Sequence, residues 1–254
     1  MKVFEKSSLL FRIFDEFGVV KGLEVFWKVI SKSKQDITLI LPGEDLPIHM
    51  RKSTSDIAVF RQLYIDKEYD IQLDIEPATI IDCGSNIGLS ILVFSKMFPA
   101  SKIIAIEPDK GNFQMLEKNT DHKENVERLN AGIWYKTAPL EIIDRNEFGS
   151  WALEVKEVDQ RGPCTIDGTS IDDICRKRGI TEIGLLKIDI EGSEKEIFEN
   201  DPHDWLSITR NLIIETHDRM RPGTGKAVLD ALGNYTYQLE LSGDCLVFKN
   251  IYPS

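Results

Sequence analysis

Apolar positions along this chain recur with two different periods, and the switches between them outline its elements. Between Ser8 and Ile30, Leu10, Phe11, Phe14 and Phe17 fall at helical spacing, as do Leu23, Phe26, Trp27 and Ile30. They predict one or two packed helices broken near Gly18. Arg12, Asp15, Glu16, Lys21, Glu24 and Lys28 interrupt the run, so no membrane-spanning helix is expected there. The apolar faces either close the core or form a contact between two copies of the chain or with a membrane surface. Residues 37–41 and 48–51 then read as a small hairpin, and Thr54 to Ile65 as a helix that Ser53, Thr54 or Ser55 caps.

From residue 79 the rhythm changes. Short β-branched runs at 79–83, 103–106 and just before Leu129 alternate with helical stretches at 89–98 and 112–119. Strand, helix, strand, helix, strand implies a parallel sheet covered on both faces. Residues 133–166 break the pattern: 140–143 and 151–155 alternate like strands and predict a hairpin inserted on the ligand side. Helix 170–178, strand 185–188, helix 194–199, strand 212–214 and helix 226–232 follow. Strands 235–241 and 245–249 close the sheet around the turn Gly243-Asp244. The expected fold is α/β, Rossmann-like and doubly wound, with a mostly parallel seven-stranded sheet. Residues 1–78 form an accessory segment of helices and a small hairpin, and 79–254 the main domain, with its insertion at about 133–166.

Composition narrows the function. The 254 residues suit one large domain with an ordered extension. A net charge of −11 disfavours a general nucleic-acid binder. Cys83, Cys164, Cys175 and Cys245 form no CxxC pair, which points to reduced thiols in a cytoplasmic protein.

Ligands of open α/β sheets bind beyond the carboxyl ends of the strands, so the residues just past each strand are the candidates. They are Asp82 with Gly84-Ser85-Asn86-Ile87-Gly88, Glu107, Asn130, Asp189 and Glu215. Gly84 and Gly88 permit a tight turn and close approach of a ligand. The loop lacks the central glycine of the pyrophosphate-binding pattern Gly-x-Gly-x-x-Gly. Asp82 either orients this loop or accepts a bond from an ammonium group. Glu107 suits a bidentate grip on ribose hydroxyls. In the block Leu185 to Glu194, Lys187 and Asp189 lean to one side of their strand, Asp189 and Glu191 enter a loop cut short by Gly192, and Ser193 is placed to cap the next helix. These carboxylates can orient a substrate hydroxyl or bind a hard metal. Glu215 and His217 share a side by period two, and an imidazole with an ordinary pKa of about 6.5 suits proton abstraction.

These pieces resemble the FkbM-type methyltransferases, which depend on S-adenosylmethionine. The resemblance rests on Ile81 to Gly88, Glu107-Pro108, Leu186 to Glu194, Glu215-Thr216-His217, and upstream Arg51 to Asp56 with Tyr64 and Tyr69. It implies a class I fold and methyl transfer to hydroxyl oxygens of sugars, glycans, nucleotide-sugars or related natural products. By that resemblance Asp82, Gly84, Ser85, Asn86 and Gly88 shape the methionine side of the cofactor pocket, and Glu107-Pro108 holds the ribose. Asn130 and Ala131 edge the adenine, and Asp56 closes the pocket. Asp189 borders both cofactor and acceptor. His217, Asp189, Glu191, Glu215 and Lys187 are the candidate catalytic residues, with Mg²⁺-assisted deprotonation the alternative to a histidine base. The acceptor is expected against the insertion, near Arg145, Asn146 and Trp151. A nicotinamide-dependent oxidoreductase and a non-catalytic interaction protein are the competing functions.

Overall fold

Residues 3–31, 35–44, 46–52, 54–144 and 153–254 are described by a computed structural model. They fall into two units, Met1–Asp70 and Ile71–Ser254.

In the first unit, α1 (Val3–Ile30) is two helices joined across a kink at Gly18, whose φ of 70° and ψ of 171° lie outside any helix. Lys21 and Lys28 both pair with Glu24 along its surface. Its buried stripe is Leu9, Ile13, Phe17 and Val25, whereas Phe11 and Trp27 are exposed. The apolar run is wider than one face, and spacing alone set the stripe off by a residue or two. β1 (Ile37–Leu39) and β2 (Ile48–Met50) pair antiparallel, with Ile37 opposite Met50. α2 (Asp56–Phe60) continues through a π-helical turn at Arg61–Ile65. Of its expected caps, Ser53 lies outside the described residues and the Ser55 side chain makes no capping bond. Thr54 Oγ1 accepts a bond from Asp56 N at 3.3 Å.

The second unit opens with β3 (Thr79–Cys83), α3 (Leu89–Met97), β4 (Lys102–Ile106), α4 (Lys110–Thr120) and β5 (Val126–Leu129). It continues with β6 (Gly132–Ile133), β7 (Ala138–Asp144), β8 (Leu153–Glu157), β9 (Thr165–Thr169), α5 (Ile171–Arg178) and β10 (Leu185–Ile188). Then come α6 (Glu194–Glu199), α7 (His203–Ser207), β11 (Leu212–Glu215), α8 (Thr224–Ala231), β12 (Tyr235–Ser242) and β13 (Cys245–Pro253). The main sheet has seven strands in the order β12-β13-β11-β10-β3-β4-β5. Its five inner and edge strands from β11 to β5 run parallel, and β13 is antiparallel to both its neighbours. This is the expected doubly wound α/β fold with a mostly parallel seven-stranded sheet.

Alternate residues of the central strands serve opposite faces. Ile81, Cys83, Ile104, Ile106, Leu186, Ile188, Leu212 and Ile214 pack with residues of α5, α6, α7 and α8 in one buried cluster. Each such aliphatic side chain contributes about 1.5–3 kcal/mol on burial. The other parity of β3 and β10 carries Asp82 and Lys187, directly opposite one another in register.

Two features differ from the sequence reading. The insertion is a four-stranded sheet, ordered β6-β9-β7-β8, with the expected hairpin as its β7–β8 part. β9 escaped notice because Gly168 interrupts its alternation; a side chain there would run into Leu140 and the Ala138 carbonyl. α7, five residues long, is too short for periodicity to reveal, yet Trp205 and Leu206 on it are core residues.

Candidate active site

The loop after β3 is fixed from beneath before any ligand is considered. Gly84 N and Ser85 N donate to the Ile106 carbonyl at 3.0 and 2.9 Å, and Ile106 N donates to Ser85 Oγ at 3.1 Å. Gly84 and Gly88 both have φ of 85°, and Asn86 has φ of 49°. Three left-handed residues in five let the chain reverse over the strand end. A Cβ at Gly84 would collide with the Asp189 carbonyl, so glycine loop and β10 exit touch backbone to backbone.

Asp82 is wholly buried and accepts a bond from Ser90 Oγ. Lys187, 2 % exposed, lies across from it, with Nζ 3.2 Å from Asp82 Oδ1 and 3.5 Å from Asp189 Oδ2. Nζ also donates to the Gly84 carbonyl at 2.7 Å. Burial pulls the Lys187 ammonium toward losing its proton, but Asp82 and Asp189 outweigh burial and hold its pKa above the ordinary value. Lys187 is therefore a fixed cation that ties the loop to two strands. Asp82 acts on the loop through Ser90 and Lys187.

Glu107 leaves β4 with its carboxylate 5 % exposed. Asn86 N donates to Oε2 at 2.9 Å; Asp109 N and Asn112 Nδ2 donate to Oε1 at 2.9 and 3.3 Å. Burial pushes its pKa up to about 7 against these lowering bonds. Asn130 Nδ2 donates to the carbonyls of Glu107 and Pro108 at 2.8 and 3.1 Å, joining the exits of β4 and β5, and Ala131 beside it is core. The expected cofactor residues of the second unit are thus one connected set. Asn86 Oδ1, buried and without a hydrogen-bond partner among the described residues, is its unspent acceptor. Asp56 belongs to the first unit, wholly buried, where Arg51 N, Nε and Nη2 donate to it at 2.7–3.0 Å.

A second set forms where β10 and β11 end. Glu191 (φ 56°) and Gly192 (φ 101°) turn the chain back, and Glu194, wholly buried, accepts bonds from Ile190 N at 3.0 Å and Gly192 N at 2.8 Å. His217 Nδ1 lies 2.8 Å from Glu194 Oε1. A carboxylate accepts, so Nδ1 carries the proton and Nε2 turns the other way. Nε2 then faces Glu191 Oε2 at 3.4 Å, Glu215 Oε1 at 3.5 Å and Asp189 Oδ1 at 3.8 Å. Burial alone lowers the His217 pKa, but the bond and charge of Glu194, then Asp189 and Glu191, raise it to about 10. Burial first, then Asp189, pushes Glu191 up to about 8. An ordinary imidazole, with a pKa of about 6.5, would be free to take a proton at neutral pH. The surrounding carboxylates hold the His217 proton more tightly than a free imidazole holds its own.

Glu194 has no local signal of its role in the sequence, because its partner His217 lies 23 residues away. Ser193, read as the cap of α6, makes no capping bond; Glu194 binds the loop amides instead. Arg145, Asn146 and Trp151, expected beside the acceptor, lie outside the described residues. Asp189, Glu215 and His217 present ligand atoms within 4.8 Å of one another, close enough to hold a metal ion.

A sequence profile of the methyltransferase FkbM domain matches residues 82–239, which include the glycine loop and the imidazole cluster. Methyltransferase 1 of Beauveria bassiana is 24 % identical over 197 residues, spanning 69 % of this chain and 79 % of that protein. The 31-O-demethyl-FK506 methyltransferase FkbM of Streptomyces tacrolimicus is 27 % identical over 214 residues, spanning 71 % and 82 %. The 2-O-methyltransferase NoeI of Sinorhizobium fredii is 23 % identical over 185 residues, spanning 67 % and 73 %. Among the described residues no helix is long and apolar enough to cross a membrane.

Proposed function

Since the chain belongs to the FkbM family of S-adenosylmethionine-dependent methyltransferases, we propose that it methylates a hydroxyl oxygen of a sugar, glycan or related small natural product. One observation carries the reading: the glycine loop and the imidazole–carboxylate cluster share Asp189, whose backbone meets Gly84 and whose side chain faces His217. A cofactor on that loop therefore borders a cluster able to receive a proton.

The residues fit the cofactor. Asn86 Oδ1 is a buried acceptor with no partner among the described residues. Glu107 uses three bonds of a carboxylate's roughly four acceptor positions, which leaves capacity for a ribose hydroxyl. Asn86, Gly84 and Gly88 would hold the methionine end, Glu107 the ribose, and Asn130 with Ala131 the edge of the adenine. When bound, the cofactor supplies an activated methyl group on a sulfonium.

The protein's share is alignment and proton removal. Alignment of acceptor and methyl donor supplies about 7–11 kcal/mol when the reacting atoms are held in near-attack geometry. Lys187 serves it by holding the loop against β10. For the proton, Glu191 is the candidate base: with its pKa pushed up to about 8, the fraction ionised at pH 7, about a tenth, is a stronger base than an ordinary carboxylate. Asp189 and Glu215 orient the hydroxyl, and His217 balances their charge. Two relatives are named as O-methyltransferases or for an O-demethylated substrate, which supports oxygen as the acceptor atom.

The test is methyl transfer from isotope-labelled S-adenosylmethionine to a panel of hydroxylated sugars and glycans, with calorimetry against the demethylated cofactor and NAD in parallel. Label on an ether oxygen of the product is the expected result. Label on nitrogen or carbon, or binding of NAD in place of the sulfonium cofactor, would overturn the reading.

A further inference from the structure

The cluster at the ends of β10 and β11 has a feature that proton transfer does not require. The His217 side chain is nine-tenths buried and its ring is fixed by Glu194, a carboxylate with no exposure. That leaves Nε2 aimed at three carboxylate oxygens from three different residues, 3.4–3.8 Å away, longer than an ordinary N–H···O bond. Donors in one shell around a small divalent ion, with bonds of about 2.1 Å, lie about 3.0–4.2 Å apart. The distances from Nε2 to Glu215 and Asp189, 3.5 and 3.8 Å, fall in that range, and the three ligand atoms all lie within 4.8 Å of one another. A ligating imidazole whose other nitrogen donates to a buried carboxylate is the arrangement that orients histidine on a metal.

We propose that Asp189, Glu215 and His217 form a binding site for one hard divalent cation of the Mg²⁺ or Mn²⁺ class, with Glu194 as the residue that positions the imidazole. Asp189 divides its oxygens, Oδ2 toward Lys187 and Oδ1 toward the ion position. One nitrogen with carboxylate oxygens suits Mn²⁺, which accepts both donor types, better than the all-oxygen shell Ca²⁺ prefers. Among the described residues no cysteine joins the group, which disfavours a soft ion. The ion's place in the reaction rests on the methyl-transfer reading: it would take the acceptor oxygen as a further ligand and make its proton easier to remove. The proton passes to Glu191, the O–H bond breaks, the oxygen–methyl bond forms and the methyl–sulfur bond breaks. Binding of the ion displaces the Nε2 proton of His217 to solvent, and the ion then balances the carboxylates in place of the imidazolium; it does not depend on the methyl-transfer reading.

The experiment is titration of the chelator-treated full chain with Mn²⁺, read by electron paramagnetic resonance and calorimetry without cofactor. One equivalent should bind. Glu215→Gln and His217→Gln should weaken binding at least tenfold, and Glu194→Gln about 10–100-fold. Asp230→Asn, whose side chain pairs with Lys226 at the surface, should change nothing. Circular dichroism of each variant separates lost ligands from lost fold. No stoichiometric binding by the wild-type chain, or binding that survives Glu215→Gln and His217→Gln together, overturns the proposal. Methyl transfer unaffected by chelator, with no Mn²⁺ bound, rejects the ion and leaves the enzyme reading standing. Stoichiometric Mn²⁺ without methyl transfer to any hydroxyl acceptor does the reverse.

Discussion

Replacing Lys187 with methionine tests whether the loop is held as argued. Methionine keeps the stem and removes the ammonium, so packing changes little while four partners are released, the Cys83 carbonyl at 3.4 Å the weakest held. Asp82 Oδ1, wholly buried, loses a cation at 3.2 Å; the Gly84 carbonyl loses a donor at 2.7 Å; Asp189 Oδ2 loses a cation at 3.5 Å. An ion pair on the surface would be worth at most about 1 kcal/mol. Breaking a buried pair by removing one partner costs about 3–5 kcal/mol, because the remaining charge has nowhere to go. Lys187→Met should therefore lose about 3–5 kcal/mol of unfolding free energy, measured by chemical denaturation at neutral pH. Asp82→Asn in the same chain removes the stranded charge and leaves a side chain that still bonds Ser90. The double variant should regain all but about 1–2 kcal/mol. A single variant within about 1 kcal/mol of wild type would refute the argument. So would a double variant no more stable than the single, since the loss would then come from something other than a stranded carboxylate.

Other consequences follow from the same contacts. Glu107, pushed up to about 7 by burial, must be ionised to offer its remaining acceptor position to a ribose hydroxyl. Affinity for the demethylated cofactor should therefore fall about tenfold per unit as pH drops below 7. Glu107→Gln should flatten that profile, and a flat wild-type profile contradicts the role. In chelator-treated protein, nuclear magnetic resonance should show His217 protonated through neutrality and titrating near 10. A raised pKa means its stabilisation is complete below the ordinary value of about 6.5 and is lost as pH climbs through about 10. Glu194→Gln should lower the midpoint, and a wild-type midpoint below 7 rules out the charge balance described. Gly84→Ala should reduce turnover about a hundredfold through a shift of the loop on Asp189. Gly179→Ala, also left-handed but facing open space, should cost only about 1–2 kcal/mol of stability. Equal turnover in the two alanine variants would show that the loop contact is unimportant.

The parts of this site that lie along one strand exit were legible in the sequence, and the parts that depend on register or distant pairing were not. Asp82, the two glycines, Glu107, Asp189 and Glu215 announce themselves because an apolar run ends and a polar residue begins. That Lys187 stands opposite Asp82 follows from the register of β3 and β10, which no local pattern encodes. The partnership of Glu194 with His217 spans a helix and a strand, and it changes the chemistry of the imidazole from free base to held cation. The main sheet was readable because buried parallel strands are continuous apolar runs. The second sheet was only half readable, since β6 has two residues and β9 carries a glycine in mid-strand. On α1, apolar residues ring more than one face, and the buried stripe is decided by packing in the first unit rather than by spacing.

A crystal structure of the chain with demethylated cofactor tests the central claim most directly. The account predicts ribose hydroxyls on Glu107, the amino-acid end along Gly84 to Gly88, and the sulfur facing open space bordered by Asp189, Glu191, Glu215 and His217. A sulfur sealed against apolar side chains, or a cofactor seated away from the glycine loop, would contradict it.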